Sequence, residues 1–424
     1  MKINSSKLVN ISCIFLLIYA NYNTLINGVL SDTFRYIYII GFTVIGLLAF
    51  LIFRFDVYKP ERGILLAWLL LILEITLNRN YDLAEYSKFF YVRTVCGILI
   101  IFLSQCGGQW AKNSIKTITR IGSLNIVATF VFFIVPGLYS IMVDFYGMYP
   151  TGTDNGTAGY RAGLANHYSQ NGTYISFVLL AIGAVWLFER TEIKKKKIMT
   201  SLLFFLSFVA LVLTTKRAHF LFCVMTLCIV YFLANPKQIM GRTFKIIVAV
   251  FAAIGLLYIG SFFIQPIADL LSRFSTAGVD SESTSRLKMW ALALQNFMQY
   301  PIFGIGWGRF KALYYANLYQ SWQSEAFSYL NAHNVYIQLL CETGIVGLLI
   351  YLNAIISTLI FTVKALTKGK IVEDWKRKVL YMSIAFQVFI ILYNFTGNSL
   401  YDYSIYFYSF AVAAGLSVIK LSKS

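Results

Sequence analysis

Apolar residues run in long blocks along this chain, separated by short polar joints, and the alternation of a half-buried strand is nowhere sustained. The blocks lie at 8–26, 34–53, 63–77, 89–106, 121–143, 173–188, 198–214, 218–234, 245–264, 333–362, 379–395 and 405–421. A helix needs roughly 20 apolar residues to cross a bilayer, so the pattern predicts an all-α polytopic membrane protein with about twelve transmembrane helices. Residues 198–234 count as two spans, because one helix through both blocks would be about 54 Å long at 1.5 Å per residue. The chain is expected to reverse at Thr215-Lys216-Arg217. Met1 to Leu25 has the basic start and apolar middle of a signal peptide, but no small-x-small cleavage site follows, so it reads as the first span. No internal repeat, low-complexity tract or long linker divides the chain, and 1–424 reads as one transmembrane domain.

One large polar stretch, 265–332, interrupts the pattern before the tenth block. Within it Leu287, Trp290, Leu294 and Phe297 fall on one helical face, Ser281 or Ser283 offers a cap, and Pro301 offers a stop. These signals predict an amphipathic helix near 281–299 over the mouth of the membrane domain. Gly304-Ile-Gly-Trp-Gly308 has the spacing of a phosphate-binding glycine loop but follows no expected strand, and it reads as a tight turn.

Composition fixes the compartment. Of 424 residues 58% are hydrophobic and 13% charged, a balance that no soluble core absorbs. The net charge of +18 would suggest nucleic acid in a soluble protein. Here it follows the excess of Lys and Arg in cytoplasmic loops, and there is no soluble basic domain to carry a nucleic-acid footprint. With both termini cytoplasmic, 24 of the 36 lysines and arginines fall on the inner side, which puts the 265–332 loop and the shorter 144–172 loop outside. The six cysteines, all in or beside apolar blocks, read as small core residues.

Several remaining cations run against that trend and mark where chemistry can sit. Lys216, Arg217 and His219 crowd the short turn between two spans, Arg286 and Lys288 lie in the large loop, and Arg161 lies in Gly159-Tyr-Arg-Ala-Gly-Leu-Ala-Asn-His167. A basic turn with no acid beside it fits an anion, and Arg286 near a helix start offers a guanidinium fork and backbone N–H groups to phosphate oxygens. Arginine at a membrane edge also snorkels, and Glu282 stands four residues from Arg286 as an ordinary helix pair. His333, one of three histidines, sits where the loop meets the tenth span, with Asn334, Gln338 and Glu342 following it. Glu342 is about 13 Å deeper and on another face, so it reads as a tie to another helix. No Asp-x-Asp or His pair suggests a metal, and no cofactor is expected.

Arg286-x-x-x-Trp290, Pro301-x-Phe-Gly-x-Gly306 and His333-Asn-x-Tyr-x-Gln338-x-x-x-Glu342-x-Gly344-x-x-Gly347, with Thr214-Thr-Lys-Arg217 upstream, resemble the signature region of the bacterial O-antigen ligase and polymerase superfamily. Lys216 stands where the family pattern has a small residue, so the fine geometry beside Arg217 departs from it. The resemblance implies a GT-C-like membrane glycosyltransferase fold in the bacterial inner membrane with its active site on the extracytoplasmic face. It also implies an inverting, metal-independent transfer from a polyprenyl (undecaprenyl) diphosphate-linked saccharide to a lipid-linked glycan acceptor. Flippase and chain-length-regulator proteins are the implied neighbours. In this reading Arg217 and Arg286 meet the charge of the leaving diphosphate and His333 takes the proton of the acceptor hydroxyl. Arg161, Lys216, His219, Lys288, Asn334 and Gln338 are the candidate substrate contacts. Polymerisation of repeat units of O-antigen, capsule or exopolysaccharide is the expected activity. O-antigen ligation to lipid A-core is the first alternative, and transport or flipping of the lipid-linked saccharide is an alternative of another class, for which repeated halves and midmembrane charges would speak.

Overall fold

A computed structural model describes residues 5–29, 40–41, 44, 61–78, 96–106, 109–146, 159–165, 167–188, 194–233, 239–275, 281–313, 331–368, 371 and 373–422. Among them the chain is helical with no strand. Trp110–Ile134, Tyr168–Leu187, Lys194–Leu213 and Val335–Lys368 are long and apolar enough to cross a membrane. The span expected at 34–53 falls almost wholly outside the described residues, as does the first part of the one at 89–106.

The centre of the bundle is made by three helices that are apolar all round. Phe177 of Tyr168–Phe188 stacks between Phe386 of Asp374–Tyr393, at 4.7 Å, and Phe407 of Ile405–Leu421, at 5.2 Å. Peripheral helices turn apolar side chains outward instead: Leu66, Leu73, Phe251 and Leu256 are exposed. That inversion of the soluble rule is what lipid as solvent allows. Polar ties fix neighbouring helices to one another. Trp68 Nε1 donates to Thr358 Oγ1 at 3.0 Å, and Asn125 Nδ2 donates to Asn21 Oδ1 at 2.9 Å.

The expected hairpin is present. Lys194–Leu213 and Arg217–Leu233 are joined by Thr214-Thr215-Lys216, with Thr215 in the left-handed region at φ 55°. The block at 121–143 is not one helix. Gln109–Ile134 ends at Val135, a short 3-10 turn covers Pro136–Leu138, and Tyr139–Tyr146 starts anew. Pro136 has no N–H for the ladder and drives Val135 out of the helical region, to φ −127°, ψ 77°.

The tenth block is also broken. Val335–Lys368 is interrupted at Gly344, whose φ 63°, ψ −166° no helix contains. The segment after Ser281–Gln299 fills the break: Ile345 N–H and Val346 N–H donate to the carbonyls of Pro301 and Ile302 at 2.9 and 3.3 Å. In return Ile305 N–H and Gly306 N–H donate to the carbonyls of Cys341 and Glu342 at 3.0 and 2.7 Å. The glycine-rich string is thus a turn, with positive φ at Gly304, Gly306 and Gly308, and it is stitched into a helix. Close approach requires the glycines: a Cβ on Gly304 would lie 2.5 Å from the Glu342 and Thr343 backbone.

The Ser281–Gln299 helix agrees with expectation in its extent but not in its face. Met289 and Ala293 are buried against Phe310, Ala332 and Cys341, whereas Leu287 and Leu294 are exposed. Periodicity finds apolar rows but does not say which solvent each row meets, and in a membrane protein the outward row is apolar too. The side chain of Glu282 lies outside the described residues.

Candidate active site

One cavity of about 350 Å³ opens among the hairpin turn, the start of Tyr168–Phe188, the Gln265–Ser275 helix, the residues before Val335 and the 394–404 connection. Arg217, Arg286 and His333, far apart in sequence, all line it, as do Lys216 and His219. The hairpin turn supplies the first group. Arg217 opens its helix and donates to the backbone carbonyl of Arg273. Lys216 lies 3.8 Å from the ring of Tyr168, and Arg273 approaches the same ring at 5.7 Å, both within cation–π range.

Arg273 comes from the last turn of the amphipathic Gln265–Ser275 helix. Asp269, one turn earlier, holds that helix in place: it accepts from Arg161 at 2.6 Å and from Gln265 at 2.9 Å. Arg161 is therefore part of the clamp and does not line the cavity. Lys288 is exposed and does not line it either, since two positions along a helix from Arg286 face away.

His333 sits just before the Val335–Lys368 helix at φ 51°, a left-handed conformation uncommon outside Gly, though Asn, Asp and His adopt it more often than other residues. The surroundings impose it. Trp290 Nε1 donates to the Ala332 carbonyl at 2.7 Å, Val335 N–H donates to the Asn394 carbonyl at 2.8 Å, and Gln338 Oε1 accepts from Ala332 N–H at 2.9 Å. Such strain persists where the context over-determines it, and it concentrates at functional sites. Asn334 Oδ1 accepts from Ile337 N–H at 3.1 Å, the bond of a helix N-cap. Asn334 and Gln338 thus brace the histidine from behind and are not among the cavity-lining residues. Glu342 has the tie expected of it. Its oxygens accept from Tyr401 Oη at 2.6 Å, Gln338 Nε2 at 3.1 Å and Phe310 N–H at 3.3 Å.

The lining residues that carry no signal strong enough to single them out from sequence include His167, Tyr168, Arg273, Asn398 and Asp402. All three histidines of the chain meet in this cavity. Ser169 N–H donates to His167 Nδ1 at 3.0 Å, so the neutral ring carries its proton on Nε2. Thr173 gives its hydroxyl proton to the Ser169 carbonyl at 3.0 Å and can only accept from His219 Nε2 at 2.8 Å. That ring is protonated on Nε2 as well, and His219 is buried. Asp402 accepts from the N–H and hydroxyl of Ser404, yet burial outweighs both bonds and pushes its carboxyl up to about 7. Among the described lining residues the cations Lys216, Arg217, Arg273 and Arg286 face this single carboxyl, a balance that suits a strongly anionic ligand.

Residues 202–352 match the family model described as O-antigen ligase. The match bears out the resemblance to the O-antigen ligase and polymerase superfamily. Arg217, Arg273, Arg286 and His333 fall inside the matched segment, whereas His167, Asn398 and Asp402 complete the cavity from outside it. No curated protein matches the chain.

Proposed function

We propose that this protein is an extracytoplasmic, inverting glycosyltransferase that joins lipid-linked repeat units of a surface polysaccharide. The observation that carries the reading is the convergence of Arg217, Arg286 and His333 on one cavity with Lys216 and Arg273 beside them. A polyprenyl diphosphate-linked saccharide presents its diphosphate to the arginines, which meet the charge that grows on the leaving oxygens as the glycosidic C–O bond breaks. The acceptor hydroxyl gives its proton to His333 and attacks the anomeric carbon from the opposite face, so the new C–O bond has inverted configuration. Polyprenyl diphosphate departs, and His333 releases the proton to water. The orientation with both termini cytoplasmic rests on the distribution of Lys and Arg.

Ligation of finished glycan to a lipid A-core acceptor is the second reading, favoured by the description of the matched family. Deletion separates the two. A single repeat unit still attached to its acceptor identifies a polymerase, and long chains stranded on carrier lipid identify a ligase. His333→Ala tests the chemistry common to both: turnover of bound donor should fall by about 10² to 10⁴, the range of a lost general base, with donor affinity kept. Wild-type turnover in that variant removes His333 from proton transfer.

A further inference from the structure

For His333 to take a proton at Nε2, its neutral ring must carry its own proton on Nδ1, and which nitrogen is protonated is set by the partner of the other. His167 and His219 are both fixed the opposite way, with the proton on Nε2. The partner at His333 Nδ1 is the side-chain amide of Asn398, 3.2 Å away.

Asn398 is held against the ring by a tightly bonded turn. Thr396 N–H and Gly397 N–H donate to the Tyr393 carbonyl at 2.9 and 2.7 Å, and Tyr401 N–H donates to the Asn398 carbonyl at 2.8 Å. Asn394, at the start of that turn, accepts at its carbonyl from Val335 N–H at 2.8 Å and donates from Nδ2 to Tyr351 Oη at 2.8 Å. The turn bearing Asn398 and the residue pair after His333 are thus fastened to each other.

The two ends of an amide have the same shape, and a half-turn about its bond exchanges them. With Nδ2 toward the ring, Asn398 donates to Nδ1, Nε2 carries the proton, and Oδ1 is a buried acceptor with no hydrogen-bond partner. With Oδ1 toward the ring, Nδ1–H donates to the amide and Nε2 carries the lone pair. The first arrangement leaves a buried acceptor unbonded, so the bonds around the amide do not favour it. Only the second arrangement leaves a base.

We propose that Asn398 is a positioning residue that accepts the Nδ1 proton of His333 through Oδ1, fixing the tautomer in which Nε2 takes the acceptor proton. The proposal deepens the glycosyl-transfer reading and rests on it.

The test is a set of Asn398 variants in the full-length protein, with ¹⁵N-histidine spectra recorded beside turnover. The chain has three histidines, so three ring systems report. The wild type should show two rings protonated on Nε2 and one on Nδ1, the last vanishing in His333→Ala. Asn398→Leu should return His333 to the Nε2–H form and lower kcat by about 10- to 100-fold, the usual loss when a group that orients a histidine is removed, with donor KM within about twofold. Asn398→Asp, which can only accept, should keep the Nδ1 proton and most of the turnover. Unchanged tautomer and rate in Asn398→Leu overturn the proposal. So does an inactive Asn398→Asp that keeps the Nδ1 proton, since His333 would then act as an Nε2–H donor. His333→Ala, assayed in parallel, keeps the two ideas apart: if it turns over like wild type, the base assignment fails whatever Asn398 does.

Discussion

The seam at Gly344 gives the most quantitative expectation. Gly344 holds φ 63°, ψ −166°, a region occupied almost solely by glycine, and an alanine forced into it costs about 1–3 kcal/mol. The added Cβ would also press on the Ile302 carbonyl group and lie 2.7 Å from the Phe303 nitrogen, both backbone atoms with no rotamer to yield. Relief requires the two strands of the seam to part. That puts at risk the four backbone bonds joining Pro301, Ile302, Ile305 and Gly306 to Ile345, Val346, Cys341 and Glu342, each worth roughly 0.5–1.5 kcal/mol. Gly344→Ala should therefore destabilise by about 3–9 kcal/mol if all four bonds are lost, a large part of the roughly 5–15 kcal/mol typical of a folded protein. Thermal unfolding in detergent, followed by tryptophan fluorescence, should show the melting point lowered and transfer activity lost. Gly255→Ala is the control: it lies within Ile239–Ser261 with nothing within 4 Å of the added carbon, so it should match or slightly exceed wild type. If Gly344→Ala melts with the control and retains its activity, the seam is not a determinant of the fold.

Other expectations are simpler. Arg217→Ala and Arg286→Ala should abolish transfer in a protein that still inserts, and Lys at either site should restore it only in part, because a point charge lacks the planar fork; near-normal product from either Ala variant takes that residue out of the site. Asp402, with its carboxyl pushed up from 3.8 to about 7, binds its proton more tightly folded than unfolded. Its contribution to stability is therefore fully present below about pH 4 and is lost as pH rises through 7. The same ionisation adds negative charge to an anion site, so donor KM should rise above pH 7 and Asp402→Asn should remove that rise; an identical KM profile in both proteins excludes the effect. Glu342→Leu leaves the Tyr401 hydroxyl, the Gln338 amide and the Phe310 N–H short of an acceptor they share. Loss of about 2–5 kcal/mol in unfolding is the expected result, and a melting point equal to wild type would contradict it.

Much of this arrangement can be read from the chain, and the divide follows sequence distance. The reversal near Thr215, the Ser281–Gln299 helix and its stop at Pro301 are local, set by block length, spacing and proline. Arg217, Arg286 and His333 are legible because each breaks a local expectation: Arg217 and His333 stand at the edge of an apolar block, and Arg286 is a cation on the outer side near a helix start. Asn398 and Asp402 break none, as polar residues in a connection between two spans are ordinary. Arg161 stands out as strongly as Arg217, but the partner that occupies it, Asp269, is 108 residues away. Gly344 stands in the motif that carries the resemblance, but only the insertion of residues 301–306 reveals what a glycine does there. The exposed leucines of Ser281–Gln299 carry the same lesson: a pattern records which residues avoid water, and lipid and core satisfy it equally.

The stitched seam also determines which parts of the site travel together. It fastens the Ser281–Gln299 helix, and with it Arg286, to the helix that begins just past His333, and the Trp290 bond to Ala332 fastens them a second time. Arg217 and Arg273 belong to a different assembly, the hairpin and the Gln265–Ser275 helix gripped by Arg161. His333 and Arg286 thus share one braced unit and Arg217 and Arg273 another, so a substitution that loosens the seam should disturb the first pair and leave the second in place.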